Sequence, residues 1–541
     1  MAKASSRLPL PPFHIHRRRF LGTAAAAAGL ALPALGPVLA QETTADQAAD
    51  QTGGETFSFD VLSERMRALA ADPYQPPEPV EGFLADLTYD AYQRIRFNGD
   101  RARWADTGAP FRLQTFHPGW LFNEPVKVHE IVDGQVRDMT FTTDDFEYDD
   151  EELAASVPEN TEMPGIAGFR LHTPLNRADI FDDLVVFQGA SYFRALGRGT
   201  AYGLSARGLA LNTGLPEGEE FPRFSHFWLE RPAEGQQSVT LYAALDSPSV
   251  TGAYRFVITP GKDTRMEVTA RVYLREDVSE VGIAPLTSMY LFSGADRGGF
   301  DDYRAAVHDS EALVVNLASG DTVFRALNNP PRLGNSYIGA QAPKSFGLVQ
   351  RSRDFEDYLD AQAHYGERPS LMVEPLGDWG PGAVRLVEIP SDLEINDNIV
   401  AFWVPEGERR AGDALELSYN LYWGLNPPGA APANLARVVR TRVGEGGVAG
   451  VETKADTRKF VVDFAGGVLS GLPRDAEIEP VVSAAGGEVA EAILSPVDGK
   501  DIWRLVIEVR AKRDAVVELK AAIEGYDRRL TETWAYQWID A

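Results

Sequence analysis

Strands broken by turns over most of the chain predict an all-β protein. The expected architecture is a large N-terminal antiparallel β-sandwich followed by a smaller C-terminal immunoglobulin-like sandwich. Three observations carry this. From about Arg112 onward the hydrophobic period is two, as in half-buried strands. The 49 glycines and 35 prolines divide the apolar runs into strand-length pieces. A chain of 541 residues is also too long for one core, which calls for two or three domains.

The N-terminus reads as an export signal over residues 1–40. Lys3, Arg7 and Arg17 to Arg19 precede an Ala- and Leu-rich stretch that closes on Val38-Leu39-Ala40. Arg17-Arg18-Arg19-Phe20-Leu21 fits the twin-arginine form, with an ordinary secretory signal as the alternative. Gly29, Pro33, Gly36 and Pro37 interrupt the apolar run, which falls short of the roughly 20 apolar residues of a membrane span. The expectation is a periplasmic protein that begins near Gln41, exported folded by the twin-arginine route and without stable membrane insertion. Residues 41–56 are polar and read as disordered. Val61, Leu62, Met66 and Leu69 then share one face of a helix, with Asp60 as its N-cap. A second short helix is expected within 87–96.

Beyond Arg112, Val239-Thr240-Leu241-Tyr242 and the run from Met266 to Val272 alternate as half-buried strands do. Similar runs recur at 384–389 and 399–403. The polar stretch 406–412 reads as a linker, which gives a first domain over 57–405 and a second over 413–541. Strands at 415–423, 459–464, 502–509 and 515–523 suit the second, immunoglobulin-like unit.

Composition narrows the function. The net charge is −27, and removing 1–40 takes away five basic residues and no acid, leaving 47 basic against 79 acidic residues, or −32. Such a charge argues against nucleic acid and anionic membranes as partners. It fits a neutral or cationic ligand, although acidity can serve solubility alone. There is no cysteine, so neither a thiol nucleophile nor a thiolate-held metal is available. The histidines are scattered, and no metal or cofactor is expected. Gly444-Glu445-Gly446-Gly447-Val448-Ala449 nominally matches a dinucleotide fingerprint, but its β-rich setting reads as a hairpin.

The chemistry concentrates in two aspartates with aromatic neighbours, Asp309 and Asp397. Two carboxylates suffice for glycoside hydrolysis, one as proton donor and one to activate water. The segment 358–403 adds Tyr365, Arg368, Glu374, Trp379, Glu388, Glu394 and Trp403, a mixture of aromatic faces and polar groups that suits a sugar cleft. Asp397 sits just before the strand 399–403, among apolar residues, a setting that suits a proton donor. Asp397-Asn398 also reads as a turn, Asp309 as a cap, and Trp403 as sandwich core. Periodicity alone does not choose between these.

Several blocks in order resemble the osmoregulated periplasmic glucan biosynthesis proteins of types G and D. They include Gly189-Ala190-Ser191-Tyr192-Phe193-Arg194, Tyr202-Gly203-Leu204-Ser205-Ala206-Arg207 and Gly282-Ile283-Ala284-Pro285-Leu286. Arg368-Pro369-Ser370, Glu388-Ile389-Pro390 and Asp397-Asn398-Ile399-Val400-Ala401-Phe402-Trp403 complete the set. The twin-arginine signal is more similar to the D type. The resemblance implies the two-sandwich fold and a cleft for β-1,2-glucan. It implies an endo-acting, anomer-inverting β-1,2-glucanase with Asp397 as general acid and Asp309 as general base. In such a family the base reaches the attacking water through an extended proton relay, in which Tyr365 takes part or binds substrate. A relay allows a wider gap than the roughly 6.5–9.5 Å between carboxyls of a simple inverting enzyme. Arg368, Glu394 and Trp379 are the candidate sugar contacts. The chain is shorter than the D-type pattern between Gly447 and Lys459, which keeps open a transglycosylase of the same glucan. It also keeps open a non-catalytic accessory of the inner-membrane glucan synthase.

Overall fold

The computed structural model describes residues 56–447 and 457–540. The expected signal at 1–40, nearly all of the polar segment 41–56, and the shortened stretch after Gly447 lie outside these residues.

Among the described residues, most regular structure is strand. A ten-stranded sheet runs from Arg112–Phe116 at one edge, through Val281–Ser288 and Ile399–Pro405, to Gly334–Ala340 at the other. It faces the larger part of a fifteen-stranded sheet that includes Ser370–Leu376, Ala414–Gly424, Thr264–Leu274 and Val239–Asp246. Between them lies the main core, with Phe169, Phe187, Phe193, Phe256, Trp403 and Trp423 fully or almost fully buried. Each such side chain contributes roughly 1.5–3 kcal/mol by leaving water. Among the described strands, pairing is antiparallel except for two parallel ladders, one of which joins Thr322–Ala326 to Thr533–Ile539.

The second sandwich is not a separate body beside the first. Its four-stranded sheet, Arg437–Glu445, Thr457–Ala465, Trp503–Arg510 and Glu488–Pro496, packs on the other end of the same fifteen-stranded sheet. Val314 and Phe324 from the first unit share its core with Phe460, Ile507 and Trp534. Glu532 is fully buried at this junction and accepts hydrogen bonds from Arg351 at 2.6 and 3.1 Å and from the Val438 N–H at 2.6 Å.

The domain boundary expected at 406–412 is therefore corrected. Ala414–Gly424 pairs on one side with Thr264–Leu274 and on the other with Ser370–Leu376, inside the first sandwich. The polar run before it crosses from one layer to the other, so its composition marks a loop rather than a linker. Packing changes from one core to the other after Gly424.

Two helical expectations also change. Ser58, not Asp60, caps Phe59–Leu69 by accepting from the Val61 N–H at 3.2 Å. Asp60 lies in the first turn, paired with Arg271 at 2.6 Å. This helix sets Leu62 and Met66 on Trp228, Tyr242 and Ala253 of the large sheet. Val239–Asp246 is consequently buried along its whole length, although its sequence reads as half-buried. Within 87–96 only Tyr89–Tyr92 is helical, and the chain turns at once into the strand Ile95–Phe97, which pairs with Phe146–Tyr148. A single turn of helix has too few hydrogen bonds to compete with that ladder.

Candidate active site

Asp309 and Asp397 reach the same place from opposite directions in the chain. The central strand Val281–Ser288 lies beside Ile399–Pro405, with Ser288 opposite Ile399. Just beyond it, Met289 O accepts the Asp309 N–H at 2.9 Å. The next residue, Tyr290, is bracketed by the buried Asn398 side chain, which accepts from the Tyr290 N–H at 2.8 Å and donates to Tyr290 O at 2.9 Å. Two consecutive backbone units thus anchor one aspartate directly and the other through its neighbour. Asp397 lies two residues before the strand and outside the turn at 394–395.

The two carboxyls sit in unequal surroundings. Asp309 keeps 6% of its side chain exposed and pairs with Arg368. Burial raises its pKa, the Arg368 charge opposes that, and the Asp397 charge adds to it. Asp397 is 32% exposed and accepts from Arg194 Nη2 at 3.4 Å. Arg194 lies on Tyr192–Ala195, two strands from Val281–Ser288 in the sheet, and its charge also acts on Asp309. Tyr192 beside it is pushed up to about 12 by burial, and the Arg207 guanidinium lies 4.8 Å from its ring centre.

An apolar cluster of Met289, Leu291, Phe292, Val307, Tyr358 and Tyr365 lies next to Asp309. His308 stacks on Tyr290 at 5.4 Å and meets the Tyr358 ring edge-on. Gln350 ties the segments together. Its amide donates to His308 O at 2.9 Å and to Tyr365 O at 3.2 Å, so its oxygen is left to accept from His308 Nδ1 at 2.9 Å. Burial holds His308 down at about 4, which keeps it neutral in this role.

The other expected site residues divide. Tyr365 is at the site, and its hydroxyl donates to Glu394. Burial, then that bond, pushes its pKa well up. Arg368 is at the site but occupied: Nη1 meets Asp309, while Nε and Nη2 donate to Ala363 O at 3.1 and 3.0 Å. These bonds hold its guanidinium against the Asp309 carboxylate. Glu394 is likewise engaged, accepting from Arg304 at 2.7 and 3.1 Å.

Trp379 is not brought to the aspartates. It belongs to the main core, is 8% exposed, and donates to Ser418 O at 3.2 Å. It lies past the far end of Ser370–Leu376, whose near end follows Arg368; seven strand residues separate those ends by roughly 20 Å. Trp403 is fully buried core. Glu374 accepts from Asn420 and Tyr422, and Glu388 accepts from Arg325 and the Asn328 N–H, so both carboxylates are engaged with groups other than the two aspartates.

Sequence reasoning assigned no role to Arg194, Arg304 or Gln350. Arg194 closes the block Gly189 to Arg194 and Arg304 stands five residues before Asp309, so both had a local signal. Gln350 had only its polarity at the end of an apolar strand. Among the described residues no group of three or more His, Cys, Asp or Glu side chains is placed to hold a metal ion. No helix among them is long and apolar enough to cross a membrane.

The family model described as "Periplasmic glucan biosynthesis protein, MdoG" matches residues 57–538. A glucans biosynthesis protein G of Cereibacter sphaeroides is 55% identical over 98% of this chain and 99% of its own. One of Rhodopseudomonas palustris is 42% identical over 91% of this chain and 95% of its own. A glucans biosynthesis protein D 1 of Ralstonia nicotianae is 42% identical over 97% and 98% respectively.

Proposed function

The chain belongs to the MdoG family of periplasmic glucan biosynthesis proteins, and from that premise we propose that it cleaves β-1,2-glucan internally with inversion at the anomeric carbon. The observation that supports this reading is the convergence of Asp309 and Asp397 on Met289 and Tyr290 in unequal environments. Asp397, the more exposed, gives its proton to the glycosidic oxygen. Asp309, buried against Arg368, accepts a proton from the attacking water through an intervening relay. Tyr303, Leu393 and Ile395 are 76%, 51% and 47% exposed on the segments that carry Arg304, Glu394 and Asp397. They offer apolar surface to the C–H faces of glucose units.

One observation favours a reversed assignment: burial raises the pKa of Asp309, as suits an acid. The Arg368 ion pair supports the ionised form, and so the role of base.

The test is incubation of the mature protein with linear β-1,2-glucan, followed by product sizing and polarimetry. Shorter glucans with inverted anomeric configuration, lost in Asp397→Asn, are expected. Cyclic or elongated products without new reducing ends would replace hydrolysis by transfer. Saturable binding with an unchanged glucan would refute an enzymatic role. A β-1,2-gluco-oligosaccharide carrying a dinitrophenyl leaving group distinguishes the carboxyls. Such a substrate needs no proton, so it should rescue Asp397→Asn and not Asp309→Asn; the opposite pattern reverses the roles.

A further inference from the structure

The segment 389–398 carries Glu394 and Asp397 and is closed at its base by the Ile389 N–H donating to Asn398 O at 2.8 Å. Two asparagines hold it, one at its own end and one from outside. Asn398 is fastened to Tyr290, as described, and also donates to Ile389 O at 3.0 Å. Asn329 grips Ser391 at two points: Nδ2 donates to Ser391 O at 2.6 Å and Oδ1 accepts from the Ser391 N–H at 2.9 Å. From Ser391 the bonding continues inward, since its hydroxyl donates to Leu393 O at 3.0 Å and accepts from Asn396 Nδ2 at 3.1 Å.

Both holding points lead to one carboxylate that is absent from the chemistry described above. Asp296 Oδ1 accepts from the Tyr290 hydroxyl at 2.7 Å and from the Ser293 N–H at 3.0 Å. Asp296 Oδ2 accepts from the Asn329 N–H at 2.6 Å. Asp296 is partly buried, and each oxygen is used. A carboxylate that bridges a tyrosine hydroxyl and a backbone N–H from segments 39 residues apart fixes their spacing. Here it fixes Tyr290, which fastens one end of the 389–398 segment, and Asn329, which fastens the other.

We propose that Asp296 is a positioning residue of the reaction, the common anchor that sets the placement of the Asp397-bearing segment against Asp309. The catalytic part of this statement rests on the glucanase reading, whereas the anchoring part does not. Asp296 touches neither aspartate, so it acts only through Tyr290 and Asn329. Misplacing a reacting group by about an ångström costs on the order of a hundredfold in rate.

The test uses the mature full chain and Asp296→Asn, which keeps the size and puts an NH2 donor where one of the two acceptor oxygens stood. Hydrogen–deuterium exchange is followed peptide by peptide, and kcat and KM on linear β-1,2-glucan are measured separately. The expected result is exchange over 389–398 faster by tenfold or more, with the strands of the large sheet unchanged. With it, kcat should fall at least tenfold and KM stay within twofold. Unchanged exchange over 389–398 overturns the proposal, as does loosening spread over the whole sandwich, which is an ordinary folding role. A wild-type protein that forms no product refutes the glucanase reading, while the exchange comparison still decides whether Asp296 anchors the segment. If Asp296→Asn does not fold, Tyr290→Phe removes a single donor from Asp296 and leaves both Asn398 bonds to the Tyr290 backbone. It is expected to act in the same direction with a smaller effect, and no change in exchange over 389–398 overturns the anchor.

Discussion

Replacing Arg368 by Met should destabilise the protein by an amount that grows with pH, and the growth should vanish when Asp309 is also replaced. Asp309 is buried, and burial has already raised its pKa above the ordinary 3.8 despite the guanidinium against it. An adjacent opposite charge lowers a carboxyl pKa by about 1–3. Losing it raises folded Asp309 by that much again, while the unfolded value stays near the ordinary one. A raised folded pKa contributes stability that is fully present below the unfolded value and is lost as pH rises through the folded one. The variant therefore declines relative to wild type as pH rises through the folded wild-type pKa of Asp309, which lies above 3.8, and the difference levels off at roughly 1.4–4 kcal/mol once the pH passes the variant's own folded pKa. A constant part is added to this, because Arg368 also donates twice to Ala363 O and lies 4.4 Å from the Tyr365 ring centre. Those losses are worth about 1–3 kcal/mol at every pH. Urea denaturation of wild type, Arg368→Met, Asp309→Asn and the double variant, from pH 4 to pH 8, separates the two parts. Asp309→Asn should abolish the pH-dependent part and leave the constant one. A flat difference for Arg368→Met, or the same slope in the Asp309→Asn background, would refute the account of Asp309 as a buried carboxylate held by Arg368.

Two further substitutions follow from the placement of residues. Trp379→Ala removes a core side chain, and urea denaturation should show a loss of about 3–5 kcal/mol, with KM for β-1,2-glucan unchanged at temperatures where the variant is folded; a raised KM with unaltered stability would restore Trp379 to the cleft. Gly203→Ala places a Cβ 2.9 Å from Arg368 Cβ, so Arg368 must shift. A cost of about 1–3 kcal/mol and a fall in kcat/KM are expected, and wild-type values of both would show that the position of Arg368 is not critical.

Much of this protein was legible before any tertiary contact was known. Strand periodicity and turn residues are local properties, and they foretold an all-β chain with most of its strands. The family is legible for the same reason, because blocks such as Asp397 to Trp403 are contiguous in sequence. The aspartate pair was legible as composition and as resemblance. What is added to those aspartates was not. Arg194 meets Asp397 across 203 residues and Arg368 meets Asp309 across 59, and neither separation leaves a periodic trace. The same limit explains the misplacements. Trp379 lies close in sequence to Arg368 and Glu394, but a strand carries it to the far end of the sandwich. The polar run before Ala414–Gly424 reads alike whether it links two domains or two layers of one. Only the ladders to Thr264–Leu274 and Ser370–Leu376 distinguish the cases. Sequence alone determines which face of a strand is apolar and which chemistry is available. Which distant faces and charges meet is decided when the sheets close on one core, because burial is a property of the whole fold.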